Sequence, residues 1–275
     1  MALSLESISK GAQLRAPRIL MLGVEKIGKT SFACGTKFEN GRIAATGIND
    51  PIIMPIKGEE GVDELSVSKF PACGTYAELM DAIGVLYDEK HEFKTVVIDS
   101  ASALEPLIWE AVCGSHKVES IEKVGGGYGK GYTESITLFR KLLNSLDYLR
   151  NEKGMAIILI GHVKVKRFDD PGGDSYDQYQ FDVHDKAANL IYRWADLILF
   201  ANTKVVVKKE DTGFGQEKKR GIDTTGGQRF LYTQKRPAHP GGGRGVYGQL
   251  PYELPLGWVE FENAVATILS QEKGE

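Results

Sequence analysis

The sequence predicts an α/β protein with a mainly parallel central sheet flanked by helices and an antiparallel C-terminal extension. Two observations carry this. Short apolar runs at residues 18–23, 52–56, 95–98, 155–160 and 197–201 are continuous rather than alternating, as in strands buried on both faces. Helix-compatible stretches at 29–37, 76–89, 102–113, 133–151 and 183–194 lie between them, the order that builds crossover connections between parallel strands. In the fourth stretch Leu138, Leu142, Leu143, Leu146 and Leu149 recur at helical spacing and mark one apolar stripe.

The character changes after about residue 202. Segments 204–208 and 228–233 read as exposed antiparallel strands separated by the polar stretch 210–227. The glycines of 241–245 read as a mobile loop, and 258–269 as a closing helix. The expected organisation is a polar leader, 1–16, followed by one domain, 17–275, comprising a core, 17–201, and a basic β-rich extension, 202–275.

Composition bounds the class. At 275 residues, 42% hydrophobic and 26% charged, the chain supports one sizeable core and is not wholly disordered. Cys34, Cys73 and Cys113 are too few and scattered for a disulfide framework or a Cys-based zinc site, which fits a reduced, cytoplasmic setting. No apolar run of about 18 residues offers a membrane span, and the N-terminus lacks the basic-then-apolar order of a signal peptide. The net charge is −3, yet residues 202–245 hold ten Lys or Arg against four acids, a local +6 suited to a polyanion. Glycine, 32 residues and about 12% against the usual 7%, is clustered, which points to functional loops.

The strongest cluster is Gly23, Val24, Glu25, Lys26, Ile27, Gly28, Lys29 and Thr30, a full match to G-x-x-x-x-G-K-[ST] with Ser31 next, set between a strand and a helix. Such a loop curls so that its N–H groups face phosphate oxygens. Lys29, expected to be exposed where loop meets helix, would reach the β- and γ-phosphates, and the Thr30 hydroxyl would bind Mg²⁺. The alternative is a chance Gly-rich turn. Asp99 ends a strand expected beside the P-loop strand, where an acid holds Mg²⁺ directly or through water. Its alternative is support for a helix cap, since Ser102 and Glu105 have capping-box spacing. Glu59 and Glu60 follow a further strand, and a carboxylate there would activate water; the alternative is a solvated loop. His162 ends another strand and is read as a γ-phosphate sensor, against a His satisfied by a backbone carbonyl.

Besides the basic 202–245 segment, two regions suggest nucleic-acid contact. Lys164 and Lys166 alternate onto one face, followed by Arg167 and a loop at 169–175, although by sequence alone a solvated hairpin face is the better reading. Tyr128, Lys130 and Tyr132 interleave aromatics and charge with glycine and offer base stacking; a connector or lid is the alternative. Arg229, Arg236 and Arg244 are candidate arginine fingers toward a neighbouring subunit's nucleotide.

With these residues assembled, the chain resembles a RecA-like P-loop NTPase, and within that superfamily the phage-encoded, core-only ATPases of single-strand annealing and recombination. The resemblance spans about residues 17–260 and rests on 23–30, Glu59, 95–100, 159–162 with the basic residues that follow, 129–132, and the late Arg229, Arg244 and Tyr247. It implies ATP and Mg²⁺ as cofactors, Lys29 on phosphate, Thr30 and Asp99 on the metal, and Glu59 as catalytic base. His162 stands where RecA proteins carry a polar sensor, commonly Gln or Asn, and is a departure. Residues 164–183 occupy the place of the RecA DNA-binding loops. The implied partners are single-stranded DNA, further copies of the chain and a single-strand-binding protein, in a bacterial host cytoplasm. The rival readings are a P-loop phosphotransferase and a nucleotide-gated protein-binding module.

Overall fold

The computed structural model describes residues 15–39, 42–45, 50–59, 61–170, 172–211, 217–223 and 225–272. The first half of the chain runs β1 (Arg18–Gly23), α1 (Lys29–Ala33), β2 (Thr36–Glu39), β3 (Arg42–Ala45), β4 (Pro51–Pro55), β5 (Ser68–Lys69), α2 (Tyr76–Asp88), β6 (Thr95–Asp99) and α3 (Ala101–His116). After a 3-10 turn come α4 (Lys130–Lys153), β7 (Ala156–Gly161), β8 (Val163–Phe168), β9 (Tyr176–Phe181), α5 (Asp185–Trp194) and β10 (Leu197–Thr203). The extension adds β11 (Val205–Asp211), β12 (Glu217–Asp223), β13 (Arg229–Tyr232), β14 (Gly242–Gly243), β15 (Glu253–Pro255) and α6 (Trp258–Glu272).

Six strands form the parallel body of the sheet, in the order β10-β1-β7-β6-β4-β5. β13 pairs antiparallel with β10, and β15 with β13, while β14 pairs with another part of β10. The expected mainly parallel sheet with an antiparallel extension is therefore what forms. Strand alternation divides the core. Leu20, Leu22, Met54, Ile98 and Leu159 face α2, α3, α4 and α5, whereas Ile19, Met21, Ile53, Val97 and Ile160 face α1 and α6. Among the described residues no helix is long and apolar enough to cross a membrane.

Several expectations require correction. Helix α1 stops at Ala33 rather than near residue 37, because Gly35, at φ +59°, takes the left-handed conformation that ends a helix and β2 begins at once. Strand β6 does not lie beside β1; β7 stands between them. The 228–233 segment is not exposed. It joins the central sheet as β13 and buries Phe230, Leu231 and Tyr232. The supposed mobile loop at 241–245 contains β14, paired with Leu197 and Ile198. The cap of α3 is the Ser100 hydroxyl, accepting from Ala103 N at 3.1 Å, not the Ser102–Glu105 box.

The starts of β1 and β10 are tied by charge. Asp196 accepts from Arg18 at 2.7 Å and from Arg150 at 3.0 Å, with its side chain 14% exposed. Burial pushes the Asp196 carboxyl upward, but the hydrogen bonds and positive charge of Arg18, with the charge of Arg150, outweigh it and leave its pKa below the ordinary value. The stabilisation is complete above the unfolded pKa of about 4 and fades as pH falls through the lower folded value. Asp196→Ala, which leaves two guanidinium groups short of a counter-charge, is expected to cost about 3 kcal/mol. It should also remove this part of the acid sensitivity; denaturant titrations at neutral and acidic pH check both.

Candidate active site

The loop after β1 curls through two left-handed residues, Lys26 at φ +56° and Gly28 at φ +106°. Gly28 needs its freedom there, since a side chain would be strained at that φ and would meet the Arg229 guanidinium at 3.1 Å. Ile27 anchors the loop by burying its side chain with the α1 and α6 cluster, while Glu25 and Lys26 stay exposed. Lys29 is not exposed as the sequence suggested: it is 6% accessible. Its ammonium folds back to donate to the Gly23 and Val24 carbonyls, both at 3.0 Å. Burial pushes its pKa down, with Asp99, Glu59 and Glu25 pulling the other way.

Asp99 reaches the loop although β7 separates their strands. Alternation puts it on the Val97 side of β6, the face that α1 covers, and Thr30 Oγ1 donates to its Oδ2 at 2.7 Å. Burial raises the Asp99 pKa, the Thr30 hydrogen bond opposes the rise, and the nearby Glu59 charge adds to it. A hydroxyl and a buried carboxylate that converge in this way suit Mg²⁺, which takes one or two protein oxygens and completes its shell with water and phosphate. A cation there would also offset the desolvation of Asp99. Among the described residues no group of three or more His, Cys, Asp or Glu is arranged to hold a metal unaided.

Glu59 faces the same space. It accepts from Ser100 Oγ at 2.5 Å and pairs with His162 Nε2 at 2.9 Å. With Glu59 ionised, Nε2 is the donor, and the buried Nδ1 has no partner among the described residues. Burial works against the carboxylate, but the hydrogen bonds from His162 and Ser100 and the charge of Lys29 hold its pKa below the ordinary glutamate value. His162 is fixed through its backbone N–H, which donates to Ser102 Oγ at 3.0 Å. Glu60 lies outside the described residues.

These groups line one cleft of about 520 Å³: the P-loop with Lys29 and Thr30 on one side, Glu59, Asp99 and His162 on the other, and Arg229 at the margin. Arg229 Nη1 donates to the Ile27 carbonyl at 3.0 Å, so this candidate trans arginine sits in the cleft of its own chain. The other two stand elsewhere. Arg236 stacks over Tyr252 at 4.1 Å, and Arg244 donates to the Arg193 carbonyl and lies 3.7 Å from Asp196. Sequence reasoning missed Ser100 and Ser102 as supports of Glu59 and His162; the only signal was serine just beyond a strand end.

The nucleic-acid candidates lie outside the cleft. Lys164 lies 3.1 Å from Asp182 and Lys166 3.1 Å from Asp185, with Arg167 loosely near Asp169 at 3.7 Å. Lys130 and Tyr132 belong to the first turn of α4, not to a loop. Lys130 donates to the Gly125 carbonyl, and Tyr132 stacks on His184 at 4.5 Å with Trp109 against it. Tyr128 is fully exposed.

A curled G-x-x-x-x-G-K-T loop between a buried strand and a helix, opposite an acid at a strand end of a mainly parallel sheet, defines a P-loop nucleotide-binding fold. The family model described as AAA domain matches residues 15–245, and the chain belongs to that family. No curated protein matches.

Proposed function

We propose that the chain binds and hydrolyses ATP with Mg²⁺ and couples that cycle to single-stranded DNA, as do the phage core-only RecA-like ATPases of recombination, annealing and repair that it resembles. The observation that carries hydrolysis is Glu59, held below its ordinary pKa by Ser100 and His162 inside the cleft shared with Lys29, Thr30 and Asp99. An ionised carboxylate in that position orients and deprotonates water, whereas transfer to another acceptor would need a second substrate site. Lys29 leaves its loop carbonyls to pair the β- and γ-phosphates, and Thr30 and Asp99 hold the metal. Mg²⁺, when bound, neutralises charge developing on the phosphates. Arg229, already on the loop, serves as a phosphate clamp within its own chain.

The link to DNA is supported by connectivity. His162 is the single residue between β7 and the β8–β9 ribbon, which carries Lys164 and Lys166, so a shift of the Glu59–His162 bond reaches the ribbon directly. The reading places the protein in the cytoplasm, where it would act with further copies of itself and a single-strand-binding protein.

The test is phosphate release with and without single-stranded DNA, read beside mass in solution. Turnover is expected to rise with DNA, and DNA affinity to rise with ATP and to fall with salt by about 0.7 log units per log unit for each phosphate contacted. Replacing Lys164 and Lys166 together should flatten that slope. Turnover and affinity indifferent to one another would instead favour a transferase or a protein-binding switch.

A further inference from the structure

A second cavity, of about 400 Å³, shares no residue with the nucleotide cleft and lies between β9, α5 and the segment after β13. Its apolar lining includes Tyr179, Phe181 and Tyr192, and its polar lining includes Gln180, Asn189 and Lys235. The aromatic part is fixed. Tyr179 packs against Phe200 at 5.2 Å, and the Tyr192 hydroxyl accepts from Phe181 N at 3.2 Å. Two other polar groups at the rim are occupied, Gln178 donating to the Pro237 carbonyl at 2.8 Å and Lys166 paired with Asp185. Among the described residues, the side chains of Gln180, Asn189 and Lys235 have no hydrogen-bonding or ionic partner. An aromatic-lined cavity with a few uncommitted polar groups is the usual form of a ligand site.

The surroundings indicate the ligand. Ribbon register places Lys164 opposite Gln180, Lys166 opposite Gln178 and Phe168 opposite Tyr176, so all six share one face. That face therefore combines cations, amides and an aromatic pair, with the Phe168 and Tyr176 rings 5.4 Å apart. Such a mixture suits an unpaired polynucleotide, whose bases stack on rings while its phosphates meet lysines. A side-chain amide carries a donor and an acceptor side by side and can pair with a base edge by two hydrogen bonds.

We propose that this cavity takes one nucleotide of a bound single strand, with the base against Tyr179 and Tyr192, the Gln180 and Asn189 amides on its edge, and Lys235 on the adjoining phosphate. The inference rests on the single-stranded DNA reading above and adds to it a preference among bases. Binding by charge alone would show none.

The experiment measures fluorescence anisotropy of labelled oligo(dT), oligo(dA), oligo(dC) and an abasic strand of equal length. The abasic strand should bind at least about tenfold more weakly, since one lost base stack alone is of that scale, and the homopolymers should differ among themselves. Gln180→Ala with Asn189→Ala should erase the differences among homopolymers. Lys235→Ala should weaken all strands alike and lower the salt slope by about 0.7, one contact. None of these changes should alter DNA-free ATP turnover, which reports that the variants remain folded. Equal affinity for abasic and intact strands, or homopolymer differences that survive the double replacement, would overturn the cavity assignment and leave the DNA reading standing. Absence of binding to every strand at low salt would overturn both.

Discussion

Replacement of Lys29 by Ala should bring ATP turnover to background while the chain stays folded. The ammonium is the cation that the P-loop aims at phosphate, and without nucleotide it rests 3.0 Å from the Gly23 and Val24 carbonyls. Removing a preorganised charge at a site of developing negative charge costs about 10²–10³ in rate, and loss of phosphate binding adds to this. The structural cost should be about 1–3 kcal/mol, the scale of leaving the buried Gly23 carbonyl without its donor. Phosphate release at saturating Mg·ATP and a thermal melt on the same sample make the check. Normal turnover by folded Lys29→Ala protein would remove the P-loop from the chemistry.

Glu59→Gln should retain ATP binding and slow hydrolysis by about 10²-fold or more, the scale of losing a positioned base. The substitution is well suited to this site. The amide oxygen can still accept from Ser100 and from His162, so shape and hydrogen bonding persist while basicity is lost. Because the Glu59 pKa lies below the ordinary glutamate value of about 4.3, its carboxylate stays ionised through mild acid. Its contribution to turnover should therefore fail only as pH falls below the usual carboxylate range. Nucleotide affinity and single-turnover rates measured separately distinguish lost chemistry from lost binding. The same change at Glu60 should be milder; the reverse order would move the base by one residue.

The parts of this molecule that were legible in its sequence are those determined locally. Apolar runs such as 18–23 and 95–98 have nowhere to lie but between two helical layers, and the P-loop announces itself by spacing. Strand order was not legible, because nothing within β6 records that β7 will separate it from β1. The burial of Lys29 was hidden by its type; lysine is read as solvated unless nearby carbonyls are known to receive it. Phe230, Leu231 and Tyr232 gave a fair signal for an interior strand, but the surrounding lysines and arginines masked it. By sequence Arg229 is a candidate for reaching a neighbouring subunit, and only the pairing of β13 with β10 reveals that it turns onto its own P-loop. The serines that steady Glu59 and His162 gain their partners from chain more than 40 residues away, beyond any local pattern.

The contact between Arg229 and the Ile27 carbonyl joins positions 202 residues apart and makes the extension part of the nucleotide cleft. A chain shortened at residue 202 would therefore not be a minimal nucleotide-binding unit. It would lack the arginine at the margin of the cleft and would present β10 as a bare edge where β13 and β14 now pair. The β11–β12 hairpin, paired within itself, is the more natural place to open the chain. A cut there leaves two interlocking fragments, each holding part of the P-loop's surroundings, and the sheet itself becomes the joint between them.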